Sequence, residues 1–333
     1  MRDFQSQYLR YKRLIDQRLQ TLVDEGDWKP RSLMVPLRYV LSSGGKRIRP
    51  ILVLLAYEAV STKRASGGKP NGALNAALAI EALHNFTLVH DDIMDNAPSR
   101  RGRATVHAKW DENTAILVGD ELVALAYRTL LKTKSPRLQK ILQIFTKGLL
   151  EVCEGQGFDK EFEDRKDVTL EEYLKMIELK TGRLVSVTLE IGGLLGGGSW
   201  REVTALRRYG YHIGRAFQIQ DDLLDVTGGK RFGKKIGGDI VEGKKTFLLL
   251  EAFKKARQND RSILQRVMSG EGVRGKEVLT VKRIYEKYGA VESARKEVRQ
   301  HVAEAQRVLN ALPQTRARDM LHWLAGTLQD RRH

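Results

Sequence analysis

Apolar residues recur three and four apart in ten segments of this 333-residue chain, at 3–23, 31–43, 48–60, 72–95, 112–132, 136–153, 169–195, 200–227, 244–257 and 276–311. That spacing lines one face of a 3.6-residue helix, and the two-residue alternation of a half-buried strand is nearly absent. The chain therefore reads as all-α. Pro30, Pro36, Pro50, Pro70, Pro98, Pro136 and Pro313 fall near expected helix starts or breaks. Asp111 reads as an N-cap, and Thr169 with Glu172 three residues later reads as a capping box. The stretches 61–71 and 228–243 read as loops, the second rich in Gly and Lys and too short to link to a further domain. One domain over 1–333 is the expectation.

Hydrophobic residues make up 41% of the chain and charged residues 30%, the balance of a globular protein with a real core. The single cysteine, Cys153, excludes a disulfide framework and suits a reducing, cytoplasmic setting. The first residues lack the apolar run of a signal peptide, and no stretch reaches the length of a membrane span. The net charge of +17 points to an anionic partner, which leaves peripheral contact with a membrane surface open. The excess is spread over the whole length, including 1–20, 254–266 and 274–307, with no zinc spacing, RNA-binding sheet motif or basic zipper. Solvated basic helix faces account for most of it, and a nucleic-acid-binding helical protein is the weaker alternative. His90, His107 and Trp110 read as core residues.

Two acidic motifs echo each other, DDIMD at 91–95 and DDLLD at 221–225, each closing an apolar helical run. Positions four apart share a helix face, so Asp91 and Asp95 lie together with Asp92 beside them, and Asp221, Asp222 and Asp225 repeat the pattern. Repulsion between such carboxylates costs about 0.2–0.5 kcal/mol per pair even when exposed, and packing does not ask for it. Mg²⁺ removes the cost, because it prefers hard oxygen ligands and bridges to substrate phosphates. One DDxxD is common as a solvated turn. Two suggest opposing walls of a cavity that holds metal ions.

The motifs around these aspartates resemble those of the trans-isoprenyl diphosphate synthase (polyprenyl synthetase) family. GGKRIRP at 44–50, EALHNFTLVHDDIMDNAPSRRGRATVH at 81–107, GQGFD at 155–159, KTG at 180–182, GRAFQIQDDLLD at 214–225 and GKKIGGDIVEGKKT at 233–246 follow in family order. The resemblance implies a large helical bundle around a central substrate cavity. It also implies a reaction that condenses an allylic diphosphate with isopentenyl diphosphate. Asp91, Asp95 and Asp221 would ligate three Mg²⁺ ions, with Asp92, Asp222 and Asp225 as further ligands or supports. Lys46, Arg49, His84 and Arg101 match the isopentenyl diphosphate site. Arg100, Lys180, Thr181, Gln218, Lys234 and Lys244 match the allylic diphosphate site, with Lys235 one residue away from Lys234. Thr181, Gln156 and Gln218 resemble the neutral groups beside the carbocation, Gly182 would loosen the helix after Thr181, and Asp159 would hold a lysine or a metal-bound water. The released diphosphate would take the proton, and a homodimer is the family's usual assembly.

Product length turns on Phe86, with Thr87, Leu83 and Ile80 nearby. Phe86 lies five residues before Asp91, about 7.5 Å along an ideal helix and about 140° round it, so helical arithmetic alone does not aim it at the cavity. By resemblance, a bulky aromatic here accompanies short products and an uninterrupted DDxxD accompanies archaeal-type geranylgeranyl synthases. A twenty-carbon product is the expectation, with farnesyl or longer-chain synthesis as the alternative.

Overall fold

The structure, a computed structural model, describes residues 4–24, 29–61, 71–228, 237–270 and 273–329. Sixteen α-helices account for most of them: α1 (Phe4–Asp24), α2 (Arg31–Leu41), α3 (Ile48–Val60), α4 (Asn71–Met94), α5 (Val106–Lys109) and α6 (Glu112–Leu131) come first. They are followed by α7 (Leu138–Asp164), α8 (Leu170–Ile177), α9 (Arg183–Leu195), α10 (Trp200–Thr227) and α11 (Gly238–Glu242). The last are α12 (Phe247–Lys255), α13 (Gln258–Met268), α14 (Lys276–Lys287), α15 (Ala290–Val308) and α16 (Arg316–Gln329). Among the described residues no helix is long and apolar enough to cross a membrane. The described residues fall into two compact units, one drawn from 1–145, 188–203 and 312–321, the other from 146–187, 204–311 and 322–333.

In the first unit, α1 buries Tyr11, Ile15, Leu19 and Val23, a single stripe at intervals of four. Helix α3 is different, with Pro50 to Ala56 all buried, so it is enclosed on every side. Helix α4 is alanine-rich, and Ala73, Ala76, Ala77, Ala79 and Ala82 are all at or below 1% exposure. Small side chains let α3 and α6 approach it closely. Asp111 caps α6 by accepting the Thr114 N–H at 2.7 Å. Pro36 lies inside α2 rather than at an end, as the sixth residue of the helix.

The short antiparallel pair β1 (Ser99–Arg100) and β2 (Arg103–Ala104) was not expected from the sequence. Its two-residue turn holds Arg101 and Gly102 at φ 54° and 75°, the positive values of a type I′ hairpin. Two-residue strands carry too little alternation to be seen in a sequence.

In the second unit, the Thr169–Glu172 capping box opens α8 as anticipated, with reciprocal bonds of 3.2 and 2.8 Å. The segment read as one helix over 169–195 is interrupted by a π-turn at Glu178–Gly182. Likewise 276–311 divides at Gly289, which stands at φ 70° between α14 and α15. Helix α12 is sheltered from Phe247 to Ala252, and its cap Thr246 accepts the Leu249 N–H at 3.4 Å. Fully burying each Leu, Ile or Phe in such a helix contributes about 1.5–3 kcal/mol relative to exposure.

Candidate active site

Three segments of the first unit meet along one edge: the loop before α3, the middle of α4 and the hairpin tip. Arg101 at the tip donates to the Gly44 carbonyl, and the Tyr8 hydroxyl donates to the Lys46 carbonyl. Lys46 itself is exposed. Arg49, in the first turn of α3, places Nη1 3.1 Å from Nε2 of His84 on α4. Burial first, then the guanidinium charges of Arg49, Arg101, Arg100 and Arg47, hold His84 well below the usual histidine range, so its ring is neutral. Accepting through Nε2 leaves the proton on Nδ1. Burial brings Arg49 down to about 10, which still leaves it charged at neutral pH. The Nε–H of Arg49 and the Nδ1–H of His84 are buried donors with no hydrogen-bond partner among the described residues.

Where α4 ends, Asp92 is buried and accepts Arg100 Nε at 2.6 Å, while Nη2 of the same arginine reaches Asp91 at 3.5 Å. Burial raises Asp92 and the Arg100 charge opposes the rise. Asp91 is half-buried and Asp95 exposed. Further up α4, Phe86 is half-buried and meets the His90 ring edge-on at 4.7 Å. His90 approaches the Ile116 carbonyl on α6 at 3.3 Å, and a Cβ on Gly119 would stand 2.0 Å from Nε2 of His90. Thr87 turns its hydroxyl back to the His84 carbonyl at 2.8 Å, and Leu83 and Ile80 are buried beneath. His90, His107 and Trp110, read as core residues, are all half-exposed. His90 occupies the space beside a glycine, and Trp110 lies edge-on to Tyr39 at 5.2 Å.

The second unit carries the other acidic motif on α10. Asp222 is 4% exposed and accepts the Tyr173 hydroxyl at 2.5 Å, the Phe247 N–H at 2.9 Å and Gln218 Nε2 at 3.3 Å. Burial pushes it up to about 7 against the pull of those bonds. Asp225 accepts the backbone N–H groups of Gly238 and Asp239 at 3.1 and 3.2 Å. Asp221 is exposed. With its amide nitrogen on Asp222, Gln218 turns its carbonyl oxygen to the Thr181 hydroxyl at 3.1 Å.

Thr181 and Lys180 belong to the π-turn, and two glycines shape it. A Cβ at Gly155 on α7 would lie 2.2 Å from the Lys180 nitrogen, and one at Gly214 on α10 would lie 2.3 Å from the Gly182 Cα. The backbone therefore passes between two neighbours that lack side chains, and Lys180 emerges to meet Asp159 at 2.6 Å. Lys244 pairs with Glu242 at 3.0 Å and is exposed. Gln156 is half-buried on α7. Lys234 and Lys235 lie outside the described residues.

In each motif the middle aspartate is engaged by the protein, Asp225 accepts two backbone N–H groups, Asp91 meets Arg100, and Asp95 and Asp221 are exposed. Hard carboxylates of this kind suit Mg²⁺. Among the described residues no three candidate ligands already gather tightly enough to grip a cation by themselves. Arg47, Glu81, Tyr173, Gly155 and Gly214 have no role in the sequence reading. Tyr173 and Arg47 could not have been found there, since their partners are 49 and 34 residues away.

The model of the polyprenyl synthetase family matches residues 30–288. The chain belongs to that family. It is an isoprenyl diphosphate synthase, a prenyltransferase of all-α fold. A short chain isoprenyl diphosphate synthase of Methanothermobacter thermautotrophicus is 39% identical over 97% of both chains. A geranylfarnesyl diphosphate synthase of Natronomonas pharaonis is 38% identical over 91% of each. Among solved structures, a geranylgeranyl pyrophosphate synthetase from Pyrococcus horikoshii matches with a TM-score of 0.91 at 35% identity, covering 99% of this chain and 98% of that one.

Proposed function

We propose that this polyprenyl synthetase condenses isopentenyl diphosphate with an allylic diphosphate to give the all-trans twenty-carbon geranylgeranyl diphosphate. The whole chain acts as a single trans-prenyltransferase domain, a reading supported by one family model running through 30–288. The observation that carries the substrate assignment is the pair of buried donors, Arg49 Nε–H and His84 Nδ1–H. Buried N–H groups without acceptors are costly, by about 1–3 kcal/mol each, and a diphosphate supplies acceptor oxygens with matching charge. Lys46 and Arg101 flank the pair.

Asp91, Asp95 and Asp221 would hold Mg²⁺, with Asp92, Asp222 and Asp225 supporting. When bound, the metal neutralises the departing diphosphate. Arg100, Lys180 and Lys244 bind the allylic diphosphate, joined by Lys234 from outside the described residues. The allylic C–O bond breaks, the isopentenyl alkene forms a new C–C bond to the resulting cation, and one proton leaves to the released diphosphate. Thr181 and the Gln218 carbonyl steady the positive carbon by their dipoles without reacting with it. Asp222 accepts the Gln218 N–H₂, which leaves the amide carbonyl on the side of the Thr181 hydroxyl and supports that role.

Phe86, braced by His90, limits the product. Helix α6 exposes Ile116 and Leu117 at 40% and 55%, which supports a homodimer formed through that face. Labelled isopentenyl diphosphate, supplied with dimethylallyl, geranyl or farnesyl diphosphate and Mg²⁺, should give a twenty-carbon product on chromatography. No incorporation with any primer would refute the reading.

A further inference from the structure

Arg47 stands between two residues assigned to the isopentenyl diphosphate site, yet its side chain turns the other way. Its backbone is left-handed, at φ 51° and ψ 32°, a region uncommon for a residue with a Cβ. Nε meets Asp16 of α1 at 2.9 Å and Nη1 meets Glu81 of α4 at 2.6 Å. Nη2 donates to the Leu41 and Ser43 carbonyls at 3.3 and 3.1 Å. The Arg47 and Glu81 side chains are 2% and 3% exposed. A planar guanidinium with all three nitrogens engaged in this way fixes three segments at once: α1, α4 and the end of α2 with its following loop.

Glu81 and His84 are one turn apart on α4, and Arg47 and Arg49 are two apart at the start of α3, so the contacts form two rungs. The first rung sets one guanidinium between two carboxylates. The second sets a guanidinium against a neutral imidazole and leaves its charge for a ligand. Glu81 also acts at a distance, its charge favouring the ionised forms of Arg49 and Arg101 against burial.

We infer that Arg47 and Glu81 are positioning residues that clamp the loop carrying Lys46 and Arg49 and thereby set affinity for isopentenyl diphosphate without touching it. The inference rests on the proposed function of that edge. It predicts a selective defect: Arg47→Lys keeps the charge and loses the fork, so KM for isopentenyl diphosphate should rise about tenfold or more, with kcat and the allylic KM within about twofold.

A second variant separates positioning from bulk stability. In the double substitution Arg47→Met, Glu81→Met the buried pair is replaced by apolar chains of similar length, which removes any uncompensated charge. Its Tm and circular dichroism should stay near wild type, while KM for isopentenyl diphosphate remains raised. Asp16→Asn, which weakens one bond of the clamp from a half-exposed site, should raise the same KM by a smaller factor. An unchanged isopentenyl KM in folded Arg47→Lys, or a double variant with wild-type KM, overturns the clamp. A wild-type enzyme that consumes no isopentenyl diphosphate overturns the proposed function instead, so the two failures are told apart by the wild-type control.

Discussion

Tyr173 on α8 donates its hydroxyl hydrogen to Asp222 on α10 at 2.5 Å, and this bond converts an apparent metal-motif aspartate into part of the scaffold. The neighbouring Asp221 is exposed, with no comparable bond among the described residues.

The two aspartates should therefore fail differently. Asp221→Ala should lower turnover by about a hundredfold or more while changing stability by less than about 0.5 kcal/mol. Asp222→Ala leaves the Tyr173 hydroxyl and the Phe247 N–H buried without an acceptor and should cost about 1–3 kcal/mol for each. Chemical denaturation beside a turnover assay separates the two. Near-normal turnover of Asp221→Ala, or of Asp91→Ala, in saturating Mg²⁺ would remove the metal assignment.

Product length should respond to Phe86 and to its brace. Phe86→Ala should shift products beyond twenty carbons, with some stability lost to the cavity. Gly119→Ala puts a methyl group where the His90 ring now sits and should also alter the distribution, because His90 must move away from Phe86. Product chromatography reads both, and an unaltered profile in an active Phe86→Ala enzyme makes that ring simple packing.

Assembly can be tested on α6. The exposed positions Ile116 and Leu117 are surrounded by Asn113, Asp120 and Ala124, also exposed, whereas Val118, Leu122 and Leu125 are spent on the core. Ile116→Asp with Leu117→Asp should leave the helix intact and reduce the mass measured by light scattering at micromolar concentration from dimer to monomer. A wild-type monomer would refute the dimer directly.

Acid should weaken the second unit through a histidine pair. His212 on α10 and His301 on α15 face each other with Nδ1 atoms 2.9 Å apart, a bond that requires one ring to accept. Burial first lowers both rings, and His301 is brought to about 4 by burial, then His212 and Arg215. The unfolded chain therefore takes up protons first. This contribution is fully present above about pH 6.5 and is lost as pH falls toward 4. Thermal denaturation of wild type should fall more steeply across that window than that of His301→Gln. Parallel slopes would exclude the pair as the source.

Periodicity disclosed the helices because each buries a continuous stripe, as α1 does with Tyr11, Ile15, Leu19 and Val23. It failed where a helix changes course without losing that stripe, at Gly289 and at the π-turn; it extended no prediction to α5, α13 or α16, and α11 lies inside the stretch 228–243 read as a loop. The candidate site was legible where local motifs carry it, since Asp91, Asp95 and Asp221 need no distant partner to be noticed as candidates. It was opaque where function depends on what a residue touches. Asp92 and Asp222 look identical to their neighbours in sequence, and only Arg100, Tyr173 and Phe247 show that the fold has claimed them.

A π-turn is an α-helix holding one residue more than its register allows. Deleting a single residue from Glu178–Gly182 would restore an unbroken rod from α8 into α9, regular in every bond. The flanking helices would keep nearly the same phase, because a π-turn absorbs its extra residue within a single turn. What would go is the local bulge from which Lys180 reaches Asp159. The irregular turn thus serves the lysine it carries rather than the helix, and the more regular molecule would be the less capable one.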